Sequence, residues 1–181
     1  MSTLRVCPQN VEKIGIQDLI YAICMKTNVR NMFSLIGSTG RVEKKLSDKG
    51  VFILSAENNK EEFERQKKEF SEVDNFSLNY GSALSVLKNV NYFKLDAIWL
   101  DFSGSLLTLE NLETFKVSLD LLKPNGHLFI TSYAYSRGGY SEENLFEILE
   151  ILSKKVNRMI ITEYYNGHSG NYKYYLITFI K

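Results

Sequence analysis

Three groups of residues in this sequence have types and spacing that could do chemistry. The first is Gly37, Ser38, Thr39 and Gly40, a tight turn between a short apolar run and a helix-like segment. The amides of such a turn, and the start of the helix after it, can face a polar or anionic ligand. The second is Glu57, which follows the apolar run 51–54 within Ser55-Ala56-Glu57-Asn58. A carboxylate after a second strand can accept hydrogen bonds from ribose hydroxyls. The third is Asp101, which ends Ala97-Ile98-Trp99-Leu100-Asp101. It can hold a cationic group by charge or accept a proton from a reacting group. Its structural alternative is to cap the turn that follows it.

The elements around these residues alternate. Residues 32–36 read as a strand, 41–49 as a helix ended by Gly50, and 51–54 as a second strand. Strand, Gly turn, helix, strand and acid make the first unit of a nucleotide-binding α/β fold. Upstream, residues 1–10 show no pattern. Residues 11–26 read as a helix with Ile14, Leu19, Tyr21, Ile23 and Met25 spread around it, expected at the edge or mouth of a sheet. Downstream, Asn59 is placed to cap a charged helix to Phe70, with Phe63 and Phe70 on its inner face. A weak strand at 76–78 leads through Tyr80-Gly81-Ser82-Ala83 into a short helix. Residues 95–100 form a fourth strand, and Thr108 caps a helix whose inner face is Leu109, Leu112, Phe115, Leu119 and Leu122. Lys123-Pro124-Asn125-Gly126 stops it, and a fifth strand covers 127–132. A Tyr-, Ser- and Gly-rich loop follows at 133–140, then a helix capped by Ser141. Residues 158–164 and 173–181 read as an antiparallel hairpin. The expected architecture is α/β: one seven-stranded, mostly parallel sheet with helices on both faces. The last strand should lie between the fifth strand and the 158–164 strand, because it is apolar enough for burial on both faces.

Bulk properties narrow the function. The chain has 181 residues, 44% of them hydrophobic and 24% charged, the profile of one soluble globular domain. It is expected to be a single domain over 1–181, with 1–30 as an N-terminal helical extension. A formal net charge of +1 argues against a strongly basic nucleic-acid surface, though not against a local patch. No apolar run is long enough to span a membrane, and no secretory leader is read, so a cytoplasmic location with reduced thiols is expected. Cys7, Cys24, His127 and His168 have no metal-ligand spacing, and no metal is expected. The GxGxxG fingerprint, the GxxxxGK[ST] phosphate loop and any Ser-His-Asp or Cys-His order are missing.

The order of elements resembles the S-adenosylmethionine-dependent methyltransferases of Rossmann-like fold, over residues 31–181. Ser34-Leu35-Ile36-Gly37-Ser38-Thr39-Gly40 is similar to that family's first motif, in which an Asp precedes a Gly-rich loop ending Gly-Thr-Gly. Ser34 stands where the Asp would be, and Ile36 and Ser38 where glycines are usual. Glu57 matches the family's ribose acid, with Ser55 as the alternative one register away. Gly81-Ser82-Ala83 resembles the adenine-contacting Gly-Asp-Ala, again with Ser for Asp. Asp101 matches the acid of the fourth-strand motif, and 121–126 the turn into the fifth strand.

The resemblance implies S-adenosylmethionine as cofactor. Ser34, Gly37, Ser38, Thr39, Gly40, Glu57, Ser82, Ala83 and Asp101 would bind it, and Asp101 is the candidate catalytic residue. The expected activity is methyl transfer to an acceptor, nucleic acid or protein. The alternative is a catalytically inactive methyltransferase-like binding module or partner subunit. The two serines favour that alternative, because a neutral hydroxyl binds more weakly than a carboxylate.

Overall fold

The computed structural model describes residues 2–6, 13–36, 40–90, 93–102, 108–133, 149–150, 153–165 and 173–181. Its strands are β1 (Ser2–Val6), β2 (Asn31–Ser34), β3 (Phe52–Glu57), β4 (Phe76–Tyr80), β5 (Leu95–Asp101), β6 (Leu122–Tyr133), β7 (Arg158–Tyr165) and β8 (Lys173–Ile180). Its helices are α1 (Lys13–Lys26), α2 (Arg41–Ser47), α3 (Lys60–Glu69), α4 (Ala83–Asn89) and α5 (Leu109–Leu121). The sheet order is β1-β7-β8-β6-β5-β2-β3-β4. β2 to β6 are mutually parallel, and β8 runs antiparallel between β6 and β7, as its apolar character predicts. Tyr175, Leu176, Ile177 and Phe179 of β8 are fully buried.

Two expectations change. The N-terminal segment is not only helical: β1 adds an eighth strand, parallel to β7, at one sheet edge. Its five residues carry too little alternation to read as a strand on their own, so pairing with β7 decides it. The following helix does not lie at the edge or mouth. Ile16, Ile20 and Cys24, four residues apart, make a buried stripe on α1. That stripe packs over the middle of the sheet with Met32, Trp99, Phe129 and Leu176. Leu19 and Met25 remain exposed.

Alternation along the strands divides the core. One face, under α1 and α2, carries Met32, Ile53, Ala97, Trp99 and Phe129. The other, under α4 and α5, carries Phe33, Leu54, Ile98, Leu100, Phe115 and Ile130. Leu109 was expected on the inner face of α5, yet it is 87% exposed at the helix's first position. His127 lies on β6 with its ring stacked on Phe129 and its Nδ1 buried without a partner. Burial pushes its pKa down.

At the base of the strands, the Asp96 carboxylate accepts hydrogen bonds from the Arg30 and Asn31 amides at 3.0 and 2.9 Å. It also pairs with Lys123 at 2.6 Å. One side chain thus ties β2, β5 and β6 together and leaves their carboxyl ends to form the mouth.

Candidate functional site

Chain reversal places the mouth between β2 and β5. From β2 the chain moves outward through β3 and β4. It then crosses back over the opposite face to β5 and β6. A crevice opens beyond the strand ends at such a switch point. The residues that end these strands are Ser34 on β2, Glu57 on β3 and Asp101 on β5. By alternation all three lie on the face covered by α2.

Ser34 is fully buried, and its hydroxyl donates to Glu43 Oε1 at 2.5 Å. Glu43 belongs to the first turn of α2 and is 2% exposed. Burial pushes its carboxyl above the usual range, and the nearby negative charge of Asp101 adds to this; the Ser34 hydroxyl opposes it. A carboxyl therefore sits beside the Ser34 position after all, delivered from the helix. The sequence reading missed Glu43. Its signal was its place three residues after Gly40, within reach of a strand end that lacks the expected acid.

Gly40 sets the entry of that helix. Its φ of +51° is left-handed, and it serves as the residue before α2. A Cβ there would overlap Phe70 Cζ and press on Ile36 Cγ2 at 3.3 Å. Phe70 in turn stacks on Phe76 with ring centroids 4.3 Å apart. The turn thus depends on α3 and β4 as well as on its own residues. Gly37, Ser38 and Thr39 lie outside the described residues, as do 103–107 and 134–148.

Glu57 is half-buried, and its Oε1 accepts the Asn59 amide at 2.7 Å, shaping the turn into α3. Ser55, the alternative one register away, is fully buried, and its hydroxyl donates to the Ser34 carbonyl at 2.6 Å. That hydroxyl faces the interior, which leaves Glu57 as the acid at this strand end. Ser82 caps α4, accepting the Ser85 amide at 3.3 Å, with Ala83 as the first helical residue. Asp101 Oδ1 accepts the Thr131 hydroxyl of β6, and the Phe102 amide donates to the Thr131 carbonyl at 3.1 Å. The aspartate is thereby oriented by its neighbouring strand.

Trp99, the register partner of Ser34, is 2% exposed, with its indole N–H buried and lacking an acceptor. A cavity of about 400 Å³ lies on the other face, lined by Leu54, Asn79, Ser85, Val86, Asn89 and Phe93 among others. It contains none of the expected site residues. Among the described residues, no group of three or more His, Cys, Asp or Glu could hold a metal ion. Nor is any helix among them long and apolar enough to cross a membrane.

No protein-family model and no curated protein sequence matches the chain. Solved structures do. An rRNA methylase from Streptococcus thermophilus superposes with a TM-score of 0.68 at 14% identity, over 90% of this chain and 94% of that one. An O-methyltransferase from Bacillus cereus, solved in complex with SAH, gives 0.71 at 14% identity, over 96% and 84%. An N-methyltransferase from Bradyrhizobium japonicum gives 0.62 at 13% identity, over 94% and 99%. The chain has the Rossmann-like fold of S-adenosylmethionine-dependent methyltransferases, with its antiparallel C-terminal hairpin.

Proposed function

We propose that this chain binds S-adenosylmethionine and transfers its methyl group to an acceptor. The observation that carries the reading is the convergence of Ser34 with Glu43, Asp101 and Glu57 at the switch-point mouth. The residues fit the cofactor. Glu57 can take the ribose hydroxyls with the lone pairs that its Asn59 contact leaves open. Ser82 and Ala83 lie at the start of α4, where an adenine edge would pass. Glu43 and Asp101 put negative charge where a sulfonium and an ammonium would lie.

The cofactor supplies an activated methyl group on a sulfonium. The chain's part is to position the donor, keep water out and accept the acceptor's proton. Asp101 is the candidate for that proton, held at the strand end by Thr131. The three neighbours are an rRNA methylase, an O-methyltransferase and an N-methyltransferase. For this chain the reading is a nucleic-acid or protein acceptor. Calorimetric titration with S-adenosylmethionine and S-adenosylhomocysteine tests the proposal. Binding of either supports it, and no heat or thermal shift at millimolar ligand overturns it.

The second reading is a methyltransferase-like binding module or partner subunit without catalysis. It is favoured by the engagement of both serines within the fold: Ser34 is bonded to Glu43, and Ser82 caps α4. Cofactor binding without methyl transfer to any RNA or protein fraction would select it.

A further inference from the structure

We infer that Glu43 is the carboxylate that holds the cationic amino-acid end of the methyl donor, acting from α2 in place of an acid on β2. The inference rests on the methyltransferase reading and names a residue that the motif pattern does not.

Three observations carry it. Glu43 is 2% exposed and bonded to Ser34, the residue at the strand end where the acid is absent. Among the described residues, no cation forms an ion pair with it. Arg41 and Lys45 of the same helix turn to Asp18 of α1, at 2.9 and 3.3 Å. Lys44 pairs with Glu69 of α3. Two charged side chains act on Glu43 through space: acidic Asp101 disfavours its charge, and Lys44, which is paired with Glu69, favours it with the weakest effect of any neighbour acting on it. Finally, on the same sheet face, the Trp99 indole N–H is buried with no acceptor. A buried acid with no ion pair among the described residues and a buried donor without an acceptor, under one helix, have the polarity that a zwitterionic group completes. The fold gains nothing from a charge at Glu43 that an amide bonded to Ser34 would not supply.

The test uses two ligands that differ only at that end. S-Adenosylhomocysteine carries the amino-acid group, and 5′-methylthioadenosine lacks it. Calorimetry on the parent should show tighter binding of the former. Glu43→Gln should weaken S-adenosylhomocysteine about tenfold or more, the scale of a lost hydrogen bond to a charged group, and leave methylthioadenosine within about twofold. Moving the acid back to the strand, in Ser34→Asp with Glu43→Ala, should restore the preference. This second variant carries the test if the first fails to fold. On the parent, the preference should also grow as pH rises and Glu43 ionises, which a structural role would not produce. Equal loss of both ligands in Glu43→Gln, or no loss, overturns the inference and leaves the methyltransferase reading standing. If the parent binds neither ligand, that reading falls and this inference with it.

Discussion

Glu43 shows how a single side chain can work against the fold that holds it. Its carboxyl titrates above that of a glutamate in an unfolded chain, about 4.3, because burial and Asp101 disfavour the charge. Between the unfolded and folded values the folded protein binds the proton more tightly. Stability is therefore lost as pH rises through that window. Glu43→Gln keeps an acceptor for Ser34 and removes the charge. Its melting temperature should equal or exceed the parent's near neutral pH, and the difference should shrink as pH falls toward 4; thermal unfolding over a pH series reads it. A melting difference that stays flat with pH would show that Glu43 does not titrate in the folded state. Asp101→Asn makes a complementary case. The amide oxygen can still accept the Thr131 hydroxyl, so the variant should melt close to the parent while cofactor binding or transfer falls. If Asp101 is instead a cap for the following turn, the variant should lose about 0.5–2 kcal/mol and bind normally.

At the scale of elements, two joints position the mouth. The first is Gly40, where a left-handed backbone and the Phe70 ring leave no room for a side chain. Gly40→Ala should cost about 2–5 kcal/mol in urea unfolding, the sum of left-handed strain and overpacking. Phe70→Leu in the same chain should return part of that loss by opening space. The second joint is Asp96. Burial works against its charge. Lys123 and the amides of Asn31 and Arg30 outweigh that effect and hold its carboxyl below the usual range. Its stabilisation is therefore present above the unfolded value of about 3.9 and lost as pH falls through the folded value. Asp96→Asn should lose about 1–3 kcal/mol at pH 7 and flatten the acid side of the stability profile. An unchanged acid limb would remove Asp96 from that account.

The whole molecule is a sheet with unequal ends. β1 pairs with β7 alone, far from the β2–β5 mouth. Deleting residues 1–6 should leave β7 as the edge strand. The shortened chain should unfold cooperatively in urea with about 1–3 kcal/mol less stability. It should bind S-adenosylhomocysteine within about twofold of the parent. Loss of binding would mean that the edge strand helps to shape the mouth.

What the sequence by itself determined is the order of elements and the strand ends. Apolar runs, Gly37, Gly40 and Gly50, the Asn59 and Thr108 caps and the apolar last strand are local signals with local physical causes. They sufficed for the parallel sheet with its closing hairpin, and they put Glu57 and Asp101 at strand termini. The tertiary structure alone decided the rest. β1 is a strand because β7 offers it a partner. α1 crosses the middle of the sheet because Ile16, Ile20 and Cys24 align only once the chain is helical and packed. Ser55 turns inward because the Ser34 carbonyl is there to receive its hydroxyl. Glu43 reads as one more charge on a polar helix, and no periodicity marks it. Only when α2 docks do its carboxyl and Ser34, nine residues apart, come within 2.5 Å, because burial and proximity are properties of packing rather than of order along the chain.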